Sequence, residues 1–459
     1  MTTLIKKLFG RKSRKIYTLN DTFGCTEKVP QECPTFIERN VHRLFCNNVQ
    51  SYNINVVYGE SRQGKTWMVD RYCPHQLRIG CHAGMDLNDI KVQMLNVCGI
   101  QIRRVNHSIT ENSTKEVSSF SEVGGEVAIA AGLSGKSMAG HSETISTIYD
   151  TVDIENQSEF LQKVKAASLG KVFVFDNFHY LETRVQQAFC SLLKEFNYQE
   201  IKIIIIGVWK DASRITALAS DLVNRCGHVD IGAWSVEELQ YVFDCGTQAL
   251  NVTIPEDIAK LYIDCCAQNI GIFKDIMQKF CQKCGVYETQ TTHRQLNDES
   301  CREYALAEVI EEAIIPLHDR IINLAMPQRE KKDSKHIRLK IIIAILRIVA
   351  ADRSSYSARG IEVNRIHEEV NHLCSKAGEE PVGISNLTQE LGMLHLREEN
   401  KQTKSNFIPL FFFDRANKKL LIIEPTLYLV KNYSVDMLEE ITDELIARLS
   451  SYDFVPTAE

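Results

Sequence analysis

Over the first half of the chain, short unbroken apolar runs alternate with stretches of helical period. Ile54–Tyr58, "LRIGCHAG" from Leu77, Lys171–Phe175 and "IKIIIIGVWKD" from Ile201 are the apolar runs. A strand covered on both faces reads this way, because neither side of its pleat meets water. Between them lie "NDIKVQMLNVCG", "EFLQKVKAAS" and "RVQQAFCSLLKEFN", with apolar residues three and four apart. Strands alternating with helices of this length predict a doubly wound, parallel α/β domain. Its ligand belongs at the carboxyl ends of the strands. Residues 113–150 break the rhythm. They are rich in Gly, Ala and Ser and have no period, which predicts a flexible insertion. In the last third, Pro327 and a charge run mark a linker. Three helical stretches follow: "HIRLKIIIAILRIVAA", "VNRIHEEVNHLCSKA" and "GISNLTQELGMLHLREENK", the last capped by Ser385. Two strands then flank "RANK". Three helices and a two-stranded wing predict a winged-helix domain.

Two segments fit a loose phosphate-loop pattern, "GESRQGKT" from Gly59 and "AAGLSGKS" from Ala130. Only the first has the context that the chemistry needs. A phosphate loop leaves a buried strand and enters a helix, so that backbone N–H groups and the helix N-terminus face the anion. Ile54–Tyr58 supplies the strand. Gly59 and Gly64 supply the tight turn, and a helix opens at Thr66 and Trp67. The intervening Glu60, Ser61, Arg62 and Gln63 offer their amides. Lys65 is expected at the β- and γ-phosphates and the Thr66 hydroxyl on Mg²⁺. The second segment starts with Ala130 and has no apolar helix after it, so Lys136 is read as incidental. The strand Lys171–Phe175 ends in Asp176, the form of a Walker B strand, whose acid holds Mg²⁺ beside the phosphates.

Composition narrows the class. The chain has 459 residues, 44% hydrophobic and 24% charged, as expected of a soluble protein of two to four domains. No apolar run is long enough to span a bilayer, and no secretory signal is evident, so a cytoplasmic protein is expected. Fifteen cysteines without framework spacing fit a reducing compartment. The C-x-x-C of Cys281 and Cys284 falls on amphipathic helix, which favours packing over zinc. A net charge of −6 argues against a surface devoted to nucleic acid. The first fifteen residues are the exception, with six basic residues and no acid.

With these motifs the chain resembles the AAA+ and STAND superfamily of P-loop ATPases, nearest its origin-recognition-like branch. The resemblance runs from about Arg39 to Val286 and rests on "GESRQGKT", "KVFVFDNFHYL", "IIIIGVWKD", "DLVNRCGHVDIGAWSVEEL" and "QALNVTIPEDIAKLYIDCCAQNIGIFKDIMQKF". It implies ATP and Mg²⁺ as ligands and a helical lid starting near Trp234. Ser235 and Glu238 read as a capping box there. It also implies an arginine given to a neighbouring subunit's nucleotide, for which Arg225 is the best match and Arg214 the next. Lys210 and Asp211 are the candidates for a γ-phosphate sensor. Lys274, three residues after Gly271, matches a basic lid residue that reaches back to the phosphate.

The main departure is Asn177, where the family usually has an acid after the Walker B residue. An amide takes up no proton at neutral pH, so slow, switch-like hydrolysis is expected.

The expected organisation is a basic arm at 1–38, a P-loop AAA+ core at 39–231, a helical lid at 232–326 and a winged-helix domain with a tail at 327–459. The resemblance implies a regulatory ATPase that forms a homo-oligomer with ATP and acts on a separate effector protein. It places such ATPases in prokaryotic anti-phage defence operons, plasmids and transposons. Two other readings stand beside it: a DNA-binding ATPase for replication initiation or transposition targeting, and an ATP-stapled adaptor without turnover. The expected recognition helix is poor in basic residues, which favours protein docking over DNA. Lys401, Lys404 and Arg415 near the wing keep DNA contact open.

Overall fold

The computed structural model describes residues 15–26, 29–30, 32–82, 84–100, 154–208, 225–326, 336–354, 360–401, 409–414 and 417–453. The 113–150 insertion with its Lys136 lies outside them. So do Lys210, Asp211, Arg214, Lys404, Arg415 and the first fourteen residues. The chain divides into two compact units, Leu87–Leu169 and the remainder. The smaller contains helices α4 (Leu87–Val97) and α5 (Gln157–Ser168). Within it Lys91 Nζ donates to the Ile154 carbonyl at 2.8 Å and lies over the Phe160 ring.

The larger unit is built on a five-stranded parallel sheet: β1 (Ile54–Tyr58), β2 (Leu77–Gly80), β3 (Phe173–Asp176), β4 (Ile203–Ile206) and β5 (Cys226–Asp230). Their order is β2-β3-β4-β1-β5, all neighbours parallel. This is the expected α/β class. β1 sits between β4 and β5, where the order reverses, so the loop leaving it opens into a crevice.

Burial explains the unbroken apolar runs. All four isoleucines of β4 are at most 2% exposed, each worth about 2 kcal/mol of burial. Alternate residues of β3 serve opposite faces. Val174 packs with Phe45 of α2 (Asn40–Ser51) and with Met68 and Val69 of α3 (Lys65–Tyr72). Phe175 meets Phe189 of α6 (Thr183–Tyr198) edge-on at 4.7 Å.

β5 was not expected as a strand, since Cys-Gly-His-Val-Asp has little strand character. Its glycine has a packing reason: a Cβ on Gly227 would lie 2.3 Å from Asn55 Oδ1 and 2.9 Å from Asn48 Cβ.

After β5 come α7 (Val236–Leu250), α8 (Glu256–Cys265), α9 (Ile270–Lys283) and α10 (Glu299–Ala325), with the short parallel pair β6 (Val252–Thr253) and β7 (Arg294–Gln295). The capping box forms as expected: Ser235 Oγ accepts from Glu238 N at 3.2 Å, and Ser235 N donates to Glu238 Oε2 at 3.0 Å.

A segment of the expected basic arm packs here too. Helix α1 (Leu19–Phe23) buries Leu19 and Phe23 in the same core as Leu239, Phe273 and Phe280. Leu19 N donates to the Tyr287 carbonyl at 2.7 Å and Thr289 N to the Tyr17 carbonyl at 2.9 Å.

Beyond residue 336 lie α11 (Ile337–Ala351), α12 (Val363–Lys376), α13 (Ile384–Lys401), α14 (Thr426–Tyr433) and α15 (Val435–Asp453). The strands are β8 (Ile361–Glu362), β9 (Phe411–Asp414) and β10 (Lys419–Ile422), antiparallel in the order β8-β10-β9. Residues Leu339–Leu346 of α11 are buried without a break, and Lys340 within that run pairs with Glu379. Helix α13 starts at Ile384, so Ser385 stands in its first turn rather than at its cap.

Helix α15 occupies what was expected as a tail. Leu438, Ile441, Leu445 and Leu449 form its buried stripe, at spacings of three and four. His318 Nε2 of α10 lies 2.7 Å from Glu444 Oε2 of α15, within hydrogen-bond distance. The Glu444 hydrogen bond, with Asp319, raises His318 above its ordinary value, and the same bond lowers Glu444. A raised histidine contributes stability in full below its unfolded pKa and loses it as pH rises through the folded one. Removing it with His318→Gln should therefore lower the melting temperature at pH 6 and have almost no effect at pH 8.5. The effect should be about 0.5 kcal/mol, since both partners are over a third exposed.

Candidate functional site

At the end of β1 the chain turns sharply. Gly59 has φ +142°, and a Cβ there would lie 2.4 Å from Ile231 Cγ2, so a side chain fits neither the conformation nor the space. Gly64, at φ +90°, precedes the first turn of α3. The N-terminus of α3 is thereby aimed out of the sheet with its first amides free of the helix ladder, as anion binding requires.

Lys65 is 7% exposed. Its Nζ donates to the Gly59 carbonyl at 3.1 Å and to the Glu60 carbonyl. Burial pulls its pKa down to about 8, opposed by the charges of Asp176, Glu60 and Asp230. The ammonium is thus desolvated and answered mainly by carbonyl dipoles, which an anion would outcompete.

Thr66 Oγ1 donates to Asp176 Oδ2 at 3.2 Å, although the two are 110 residues apart. Asp176 Oδ1 accepts from Asn177 N at 3.0 Å. Asn177 sits at φ +59°, the left-handed region, which Asn and Asp tolerate better than other side chains. The same Asp176 carboxylate accepts from Arg78 Nη1, while Arg78 Nη2 donates to Asp70.

The segment after β5 holds the loop by its backbone. Asn269 Nδ2 donates to the Ser61 carbonyl at 2.9 Å, Gly271 N to the Arg62 carbonyl at 3.1 Å, and Trp234 Nε1 to the Gln63 carbonyl at 3.3 Å. Arg62 pairs with Asp275, and Gln63 Nε2 donates to the Gln268 carbonyl at 3.3 Å. Arg39 ties the start of α7 to the end of the sheet. It donates to the Ile231 and Ala233 carbonyls and to Glu238, and its guanidinium stacks 4.4 Å over Trp234.

Trp67 Nε1 donates to the Thr26 carbonyl at 2.7 Å. Lys274 Nζ lies 4.2 Å from the Trp67 ring centroid, and burial lowers its pKa.

These groups surround a cleft of 1010 Å³, enough for a nucleotide. Ser61 to Trp67, Asp176 and Lys274 line it, as do Arg78, Asn177 and the Cys25–Thr26 segment. Gly59 and Glu60 form the turn beneath the loop. Arg225 is exposed, in the turn before β5, and does not line the cleft.

Sequence reasoning missed Arg78, Asn269 and the N-terminal wall. Arg78 had a signal, a cation inside an apolar strand. The other two had none, because their partners are distant in sequence.

No model of a known protein family matches the sequence, and no curated protein matches it by sequence. Solved structures match by fold. The Walker-type ATPase PABY2304 of Pyrococcus abyssi aligns over 89% of this chain and 99% of its own, at 12% identity and a TM-score of 0.52.

The chain has the fold of a Walker-type ATPase.

Cdc6p of Pyrobaculum aerophilum aligns over 94% of this chain and 98% of its own, at 15% identity and a TM-score of 0.40. The Orc1 protein of Aeropyrum pernix, solved in complex with DNA, aligns over 95% and 100%, at 11% identity and 0.38. At these identities the likeness concerns fold alone, and the expected doubly wound parallel α/β architecture is the one observed. Among the described residues, no helix is long and apolar enough to cross a membrane.

Proposed function

We propose that this chain is a regulatory ATPase that binds ATP and Mg²⁺ in the cleft, turns ATP over slowly, and switches or oligomerises with nucleotide to act on a separate effector protein. The observation that carries the reading is the desolvated Lys65 ammonium at a helix N-terminus, beside a Thr66 hydroxyl already directed at Asp176.

The donor set suits a metal that arrives with phosphate. One hydroxyl and one carboxylate are too few ligands alone. Among the described residues, no group of three or more His, Cys, Asp or Glu side chains is placed to hold a metal. Thr66 and Asp176 would hold Mg²⁺, which would neutralise phosphate charge. Lys65 and the amides of Glu60 to Trp67 would hold the phosphates. Trp67 and Lys274 would border the same ligand.

Asn177 follows Asp176 where an acid would orient water, which supports a switch over a motor. Arg225, exposed before β5, is available to a neighbouring copy. The helices and three-stranded sheet from α11 to β10 have the element order of a winged helix, and we assign them to partner docking. A role in prokaryotic anti-phage defence extends this reading by analogy.

ATP turnover and particle size, measured together with and without duplex DNA, test the proposal. ATP should enlarge the particle, and turnover should be slow and indifferent to DNA. Asp176→Ala should abolish the Mg²⁺ dependence of ATP binding. Turnover accelerated severalfold by DNA would replace the effector reading with the DNA-binding one.

A further inference from the structure

We infer that Arg78 is a built-in counter-ion for the metal-coordinating carboxylate. It pairs with Asp176, so that a divalent cation gains that carboxylate only together with phosphate. The inference rests on the proposed ATP–Mg²⁺ site and deepens it.

The geometry is a fork. Arg78 Nη1 donates to Asp176 Oδ2 and Nη2 to Asp70 Oδ1. The arrangement follows from the sheet. Arg78 stands two residues before Gly80, which pairs with Asp176 across β2 and β3. Asp70 is four residues after Thr66 on α3, so the helix that carries the Thr66 hydroxyl also supplies the second carboxylate. Asp176 Oδ2 thereby receives two donors, Thr66 Oγ1 and Arg78 Nη1, and Oδ1 receives Asn177 N.

All three side chains of the fork are largely shielded, with Arg78 28%, Asp176 13% and Asp70 18% exposed. A planar guanidinium bridging two such carboxylates satisfies both at once. Without it, two shielded carboxylates would face each other across the place it fills, an arrangement that attracts a cation. With it, both Asp176 oxygens already accept hydrogen bonds, Oδ2 from a cation and Oδ1 from Asn177 N. Phosphate changes this balance, because its oxygens supply further metal ligands and accept the guanidinium once it leaves Asp176. Asp70 retains the other arm of the fork, so Arg78 stays at the cleft wall that it lines.

The test uses Mn²⁺ and Mg²⁺ alone on the full chain, with no nucleotide, read by Mn²⁺ electron paramagnetic resonance and by melting temperature. The wild type should show no saturable Mn²⁺ binding at millimolar concentration. Arg78→Gln should bind Mn²⁺ at least about tenfold more tightly, and Mg²⁺ should raise its melting temperature. Arg78→Lys keeps the charge but cannot bridge both carboxylates, so it should gain less than Arg78→Gln, and Arg78→Met serves if Arg78→Gln fails to fold. Equal metal binding by wild type and Arg78→Gln would overturn the counter-ion role. So would Arg78→Lys gaining as much as Arg78→Gln, since lost packing would then be the cause. Binding of a fluorescent ATP analogue to the wild type is scored separately. Its absence would sink the ATP reading, while the metal-alone comparison still decides the role of Arg78.

Discussion

Lys65→Ala is expected to remove ATP binding without weakening the fold. The ammonium is the one charged donor of the phosphate loop whose nitrogen is fully enclosed by that loop. A hydrogen bond from a charged group contributes about 1.5–3 kcal/mol, so the variant should bind ATP roughly 10- to 150-fold more weakly. The stability effect has the opposite sign. Because burial pulls the lysine down to about 8, the folded state without nucleotide disfavours its charge. Alanine relieves that cost, so the melting temperature without nucleotide should hold or rise. What should vanish is the rise that ATP gives the wild type, about 2.7 kcal/mol at a hundred times the dissociation constant. Calorimetric titration and melting curves on both proteins check the two halves. A variant that melts early and still binds ATP would contradict the site.

The second large effect is a gain. Asn177→Asp should raise ATP turnover while leaving affinity nearly unchanged. A positioned general base contributes a factor of about 10² to 10⁴, and a shortened carboxylate should recover at least about tenfold. Aspartate is the right substitution because position 177 is left-handed, at φ +59°. Asp tolerates that region, whereas Glu would strain the backbone by roughly 1–2 kcal/mol. Steady-state phosphate release beside Lys65→Ala separates real turnover from contamination. No change in the Asp variant, with a wild type already turning over quickly, would remove Asn177 as the reason for a slow switch.

Much of the architecture was legible because its causes are local. The four isoleucines of β4 announce a strand buried on both faces, and Ser235 with Glu238 announces a helix start. The phosphate loop is eight contiguous residues, and its glycines are needed by the turn they make. Helix α15 was equally legible in its Leu438, Ile441, Leu445 and Leu449 stripe, and attention to period would have found it.

Other features carried no local signal. β5 is a strand because β1 presents a free edge to it, with Ile54 opposite Cys226 and Asn55 opposite Gly227. Its sequence alone reads as a turn. Residues 15–26 read as arm because charge dominated the composition upstream, yet Leu19 and Phe23 belong to the core of α7 to α10.

By itself, then, the sequence determined the α/β class, the strand that feeds the phosphate loop, and the identity of Lys65, Thr66 and Asp176. Each depends on periodicity or on groups within a few residues. Tertiary structure alone decided that Thr66 meets Asp176, that Arg78 divides its guanidinium between Asp176 and Asp70, and that Asn269, Gly271 and Trp234 hold the loop's carbonyls. The distant pairings among these join residues 98 to 209 positions apart. They arise from strand order and register, which bring remote chain segments to one sheet end. Such contacts have no period to read, because the distance between the partners is set by the fold and not by the chain between them.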